Sequence, residues 1–181
     1  MRIKPQQKLS SLLLGLALLT PLSAQANNFG YNFFEARIGT SPGTFGAQGS
    51  MIFTENSHFV AKIDSEFDGD WDIAGGIGFN GPVNQFADIY GQILLHNIKD
   101  ESSHKIGDTT MTEVNFGFRT WLLQQIEVGA QYGQLFDSDK SKDIGGIHMR
   151  FHSTDQMSVG LDIRFNGVYG GQMIMSARFN Y

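Results

Sequence analysis

Apolar and polar side chains alternate residue by residue along most of the chain after residue 28. In Met157–Phe165 every second residue is Met, Val, Leu, Ile or Phe, and the residues between them include Asp162 and Arg164. A period of two is typical of a β-strand with one apolar and one polar face. Ten such segments are predicted, at about 33–40, 44–53, 58–68, 70–80, 87–98, 110–122, 126–136, 143–152, 157–166 and 172–181.

Short turn-rich stretches separate these segments, and no shift in composition divides the chain. We therefore predict an all-β fold, a closed antiparallel up-and-down β-barrel with ten strands. Merging two hairpins would give eight strands, which is the alternative. An even number of strands returns both chain ends to the same side of the barrel.

The first residues predict export. Three basic residues lie among the first eight, the apolar run Leu9–Leu19 follows, and a small-x-small site ends at Ala26. This is the layout of a secretory signal peptide, and the run is too short to span a bilayer as a helix. We predict cleavage after Ala26, so that residues 27–181 form the mature barrel.

The composition of the mature chain excludes several classes of function. Removing 26 of the 181 residues leaves 155, with 10 Lys and Arg against 18 Asp and Glu. An acidic exported chain is poorly suited to nucleic acid, so no nucleic-acid partner is expected. The chain has no cysteine, which excludes a disulfide framework and thiolate zinc sites.

Alternation alone does not say which face of the barrel points outward. A soluble barrel or sandwich buries its apolar face, whereas a transmembrane barrel turns that face toward lipid. Glycine favours the transmembrane arrangement, because it contributes no packing to an exposed strand but leaves room for bulky neighbours inside a narrow barrel. The polar face carries Gly46, Gly76, Gly78, Gly117, Gly129, Gly133, Gly146 and Gly160.

Aromatic residues of the apolar face support the same arrangement. If the first strand rises from the periplasm, they fall into two bands, as the two water–lipid interfaces of a membrane favour. Phe116 and Phe118, at mid-height, are exceptions. The periplasmic band contains Phe53, Phe59, Phe79, Phe151, Phe179 and Tyr181, and the outer band contains Phe45, Phe67, Trp71, Tyr132 and Phe165.

The polar face carries acids and bases in near balance. Inside a lumen they can pair, as buried charges require. Ten strands enclose little more space than the side-chain-filled eight-stranded case, so we predict a polar network that fills most of the lumen. The alternative is that the arginines form a selectivity ring. The predicted lumen residues are Glu35, Arg37, Lys62, Asp64, Asp72, Asp88, Glu113, Arg119, Glu127, His148, Arg150, Asp162, Arg164 and Arg178.

The last segment keeps its alternation up to the final residue, because closure requires it to pair with the first strand. With this ending, the chain resembles the small Gram-negative outer-membrane β-barrel proteins loosely grouped with opacity-type and OmpA-like transmembrane domains. The resemblance implies residence in the outer membrane and recognition of the last strand by the barrel-assembly machinery. The residues that match this assembly signal are Met173, Met175, Ala177, Phe179 and Tyr181, where Tyr replaces the more usual terminal Phe.

Two motifs could carry chemistry. His148 and His152 share the polar face near Ser158 and Asp162, as in a hydrolase or metal site. We interpret them as lumen residues, because no third catalytic group is evident, and we predict no catalytic or metal residue. The stretch DGDWD at 68–72 begins like a calcium loop, but the glycine required at the sixth position and the glutamate required at the twelfth are missing, so it is interpreted as a hairpin.

The predicted function is that of a non-enzymatic outer-membrane barrel with a structural role in the cell envelope. The alternative is a narrow, porin-like passive pore for ions or small solutes, and an enzyme acting on lipid or peptide is less favoured. The outer loop Lys99–Thr109 is too short for a large adhesive platform. We expect a monomer in contact with membrane lipid and lipopolysaccharide, without a cofactor.

Overall fold

A computed structural model describes residues 29–67, 69–99 and 108–181, which form one closed barrel of ten antiparallel strands. Each strand pairs with its neighbours in sequence, and the last strand pairs with the first. The predicted fold and strand number are confirmed, and the eight-stranded alternative is wrong. The predicted signal peptide, residues 1–26, lies outside the described residues. The strands are β1 Phe33–Thr40, β2 Thr44–Thr54, β3 Ser57–Ser65, β4 Trp71–Asn84, β5 Ala87–Lys99, β6 Thr109–Leu123, β7 Ile126–Phe136, β8 Ser141–His152, β9 Met157–Gly167 and β10 Gly170–Asn180.

The seam between β1 and β10 closes the barrel. Their register runs from the pair Phe33 and Asn180 to the pair Thr40 and Met173. Beyond the strand, the Tyr181 backbone N–H donates to the Asn32 carbonyl at 3.2 Å. The start of β1 and the end of β10 lie together at the predicted periplasmic side of the barrel. This side is called the periplasmic end from here on. The described residues form no helix that is both long and apolar enough to cross a membrane.

The apolar face of the sheet points outward. In β6, Phe116 is 70% exposed, whereas its neighbour Asn115 is 2% exposed. The outward aromatic side chains contact one another near the two rims, for example Phe53 with Phe59 at a ring distance of 4.4 Å. An apolar surface that covers the whole circumference fits lipid rather than water.

Glycines on the inner face lie opposite the largest inward side chains. Gly117 pairs directly with Tyr90, and a Cβ at Gly117 would overlap the Tyr90 ring. Inward glycine therefore provides space for neighbouring rings and guanidinium groups, as the sequence predicted. Further pairs of this kind are Gly78 with His58, Gly129 with His148 and Gly160 with Arg150.

Strand β4 is longer than the sequence predicted. It continues through Gly81 and Pro82 to Asn84 and leaves only a short turn before β5. Strand β3 pairs with β4 only as far as Phe79, and the Asn80 N–H donates to the Asn56 carbonyl just beyond it, so β4 has a free edge from Gly81 onward. Proline is tolerated on a free edge, because its missing N–H removes no ladder hydrogen bond there.

Because the apolar face points outward, a charged residue introduced on it should lower the stability of the barrel most at the centre of the membrane and least near its surface. Leu161 lies at the centre of β9 on the outer face, and Leu161→Arg should destabilise the barrel by about 2–4 kcal/mol. Met157→Arg, on the same face at the periplasmic end, should cost about 0–1 kcal/mol. Denaturant titrations of refolded protein in lipid measure both values. Equal, near-zero costs at the two positions would mean that this face does not contact hydrocarbon.

Candidate functional site

The interior of the barrel is the candidate functional site, and most of the charged side chains described there belong to one of four groups. In the first group Glu35 lies between two arginines. Its Oε2 accepts hydrogen bonds from Arg178 Nε at 2.6 Å and from Arg150 Nη2 at 2.8 Å. Arg150 also donates to the hydroxyls of Ser158 at 3.3 Å and Ser176 at 3.2 Å. This group joins β1 to β8, β9 and β10 from the inside.

The second group lies nearer the outer end. Arg37 donates to Asp64 Oδ2 at 2.7 Å and to Gln48 Oε1 at 2.8 Å. Arg164 Nη1 approaches the same Asp64 oxygen at 3.7 Å. A single carboxylate therefore faces two guanidinium groups here as well. Asp162, also predicted for the lumen, is half-buried on the inner face of β9.

The third group is centred on a histidine that the sequence analysis missed. His96 places Nδ1 2.7 Å from Asp72 Oδ1 and Nε2 2.8 Å from Glu113 Oε2. Lys62 donates to the same Glu113 oxygen at 3.0 Å, and Asn115 donates to the other one. His96 shares the inner face of β5 with Asp88, so the alternation of that strand could have found it.

The fourth group lies at the periplasmic end around Glu127. Its oxygens are 3.0 Å from His152 Nε2, 3.5 Å from His148 Nε2 and 3.8 Å from Arg119 Nη1. The sequence analysis found no third polar side chain beside His148 and His152, and the structure shows that Glu127 occupies this place. Because Glu127 is 2% exposed, its contacts lie inside the bore.

In the described part of the chain, both histidines of this pair contact Glu127. The register places His148 opposite Asp162 and His152 opposite Ser158. The Ser158 hydroxyl, however, accepts a hydrogen bond from Arg150 Nη1. Among the described residues there is no group of three or more His, Cys, Asp or Glu side chains that could hold a metal ion.

The segment that precedes β1 enters the periplasmic mouth of the barrel. The Tyr31 hydroxyl donates to Asp88 Oδ2 at 2.5 Å, and its ring stacks on His58 at 4.5 Å. Phe29 stacks on Trp121 at 5.4 Å. Burial raises the pKa of the Tyr31 hydroxyl, so it remains protonated and able to donate. Sequence analysis missed this segment, because Phe29, Tyr31 and Phe33 are aromatic at the alternate positions that carry the polar residues Glu35 and Arg37 in β1.

Apolar side chains also lie inside the barrel. At the outer end Ile98, Met111 and Leu135, each at most 3% exposed, form one cluster. Tyr169, from the turn between β9 and β10, also lies at the outer end, and its hydroxyl donates to the Asp64 backbone carbonyl at 3.0 Å. The interior is therefore layered, with charged groups between an apolar outer end and an aromatic periplasmic end.

Little open space remains between these layers. An interior cavity of about 150 Å³ is lined by the charged groups described above. Pockets that bind small molecules usually measure about 300–1,000 Å³. The cavity is polar and has room for several ordered waters among the charged side chains.

The Glu35 group allows a direct test of this interior. Glu35→Gln keeps the shape of the side chain but leaves Arg150 and Arg178 without their shared carboxylate. Breaking a buried ion pair in this way should destabilise the barrel by about 3–5 kcal/mol in urea unfolding. Asp139→Asn, in the outer turn between β7 and β8, is the control and should change stability by at most about 0.5 kcal/mol. Equal effects of the two substitutions would contradict a packed ionic interior.

Solved structures resemble this chain in fold. The KdgM porin matches with a TM-score of 0.58 at 6% sequence identity, covering 82% of this chain and 99% of the porin. A structure of the KdgM porin in complex with disordered oligogalacturonate matches with a TM-score of 0.57 at 8% identity, with the same coverage. No protein-family model and no curated protein sequence matches the chain. The chain therefore has the fold of outer-membrane porin barrels, and its resemblance to the opacity-type and OmpA-like group stays a prediction.

Proposed function

We propose that this chain is an integral outer-membrane barrel whose interior is closed by its own side chains and which has a structural role in the cell envelope. The observation that carries the proposal is the filled bore. Four buried ionic groups lie between an apolar outer end and an aromatic periplasmic end, around a cavity of about 150 Å³. A bore of this kind stabilises the barrel and gives no solute a wide path.

The outer surface supports residence in the outer membrane. Its exposed side chains are apolar over the height of the strands, with aromatic contacts at both rims. Transmembrane barrels present such a band to lipid and lipopolysaccharide. The predicted signal peptide would supply export, and the outward Met173, Met175, Phe179 and Tyr181 would supply the assembly signal. Closure gives each of the ten described strands a neighbour on both sides, which fits a monomer.

A narrow passive pore is the second candidate. Two observations favour it, namely the fold shared with the KdgM porin and the charged lining of the interior cavity. If the chain is a passive pore, movement of the side chains at the two ends of the barrel would connect the interior cavity to solvent. The charges of both signs along the path would admit ions or very small solutes.

An enzyme has less support than either candidate. A hydrolase of this kind would need a hydroxyl activated by a histidine. Ser158 instead contacts Arg150, while His148 and His152 contact Glu127. The porin-like fold also belongs to non-enzymatic channels.

Electrical recording in planar bilayers separates the two leading candidates. We expect the refolded mature chain to give no discrete conductance steps. The ionic groups, the apolar cluster at the outer end and the aromatic segment at the periplasmic end together occupy the bore. A general porin inserted in the same way is the positive control, and gel mobility before and after heating verifies that the chain has folded. Reproducible steps from the folded chain would overturn the structural role and support the passive pore.

A further inference from the structure

We propose that Phe29–Asn32 is a tethered plug that closes the periplasmic mouth and can leave it while the barrel stays folded. The plug sits in a socket formed by His58, Asp88, Arg119 and Trp121. Neither an envelope role nor a passive pore requires such a device. The inference therefore goes beyond the proposed function.

Side-chain contacts hold the plug in the socket. Phe29 and Tyr31 are each 4% exposed, although they precede the first strand. The Arg119 guanidinium lies 4.1 Å from the Tyr31 ring centre and 4.5 Å from the Phe29 ring centre. Cation–π contacts and the hydrogen bond to Asp88 therefore fix both rings across the mouth.

Asn32 ties the plug to the barrel wall. Its carbonyl accepts the Tyr181 N–H at 3.2 Å, and its side-chain oxygen accepts the Ile52 N–H at 2.7 Å. These bonds join the segment to β2 and to the residue that follows β10, at the point where the segment enters the bore. The residues before Asn32 can therefore swing away while this anchor and the strand ladders remain intact.

Several polar atoms of the socket are shielded from bulk water while the plug is in place. Within the described part of the chain, four of them have no hydrogen-bond partner among protein atoms: Asp88 Oδ1, Arg119 Nε, Arg119 Nη2 and Trp121 Nε1. The two carboxylates beside Arg119 are 3.7 and 3.8 Å away, too far for good hydrogen bonds. Departure of the plug would open these atoms to bulk water, which would offset part of the lost contacts.

Space for the displaced plug lies directly beside it. A cavity of about 880 Å³ opens at the periplasmic end, lined by Phe29 and Gly30 and by the turn at Gln124–Gln125. Departure of the plug would expose the socket to the periplasm. The apolar cluster of Ile98, Met111 and Leu135 would still close the outer end, so the plug controls one end only.

Cysteine accessibility tests the proposal cleanly, because the chain contains no cysteine. Ser50 points inward at the level of Phe33 and is 4% exposed, so Ser50→Cys reports access past the plug. A membrane-impermeant maleimide is added to folded protein in liposomes with the periplasmic end outward. Gln125→Cys, in an exposed turn, measures the rate of an open site.

We expect the thiol at position 50 to react at least tenfold more slowly than the thiol at position 125 while the plug is intact. Phe29→Ala combined with Tyr31→Ala should raise the rate at position 50 at least tenfold and leave the rate at position 125 unchanged. Phe34→Ala removes a neighbouring aromatic ring from the lipid-facing side and should change neither rate. Fast labelling at position 50 with the plug intact, or no acceleration in the folded double variant, would overturn the proposal.

A milder variant provides a second readout if the double variant does not fold. Trp71→Phe leaves Trp121, which stacks on Phe29, as the single tryptophan. Phe29→Ala in this background should raise acrylamide quenching of Trp121 at least twofold. Unchanged quenching would mean that Phe29 does not cover the socket. Both readouts report the plug alone, so they stay interpretable whether or not the barrel conducts.

Discussion

The structure depends on one constraint: backbone groups in hydrocarbon must all be paired, so the sheet has to close on itself. Closure occurs at the seam of β1 and β10, which runs to within a residue of the chain end. Once the sheet is closed, the two-residue alternation sends one set of side chains to lipid and the other into a narrow bore. The charges of the inner set are removed from water and must pair with one another.

That pairing explains why a fold shared with porins is compatible with an interior occupied by side chains. The width of a barrel is set by its strands, but the open space is set by the side chains that point inward. Here Glu35, Asp64, Glu113 and Glu127 each face two or more basic groups across the bore. Apolar residues lie inside the outer end, and the segment before β1 lies across the periplasmic end beside a cavity of about 880 Å³. The fold alone therefore does not decide between a pore and a structural barrel.

The sequence predicted the strands well because alternation is a local property, and it predicted the end of β4 poorly because Pro82 is tolerated only where β3 has stopped pairing. Interior contacts were harder to predict. Glu35 and Arg150 are 115 residues apart, and only barrel closure and strand register bring them together. His96 could have been found from the alternation of β5. The inward turn of Tyr31 could not, since it depends on a socket built from three other strands.

The central claim is that hydrocarbon contacts the apolar face while the polar face lines the bore. Quenching of a single tryptophan by brominated lipid tests it directly, in a background with Trp71 and Trp121 replaced by phenylalanine. Phe116→Trp places the reporter on the outer face and Tyr90→Trp places it on the inner face, both as exchanges between aromatic side chains. The account predicts strong quenching of the reporter at position 116 and little at position 90. Equal quenching at both positions, or stronger quenching at position 90, would contradict it.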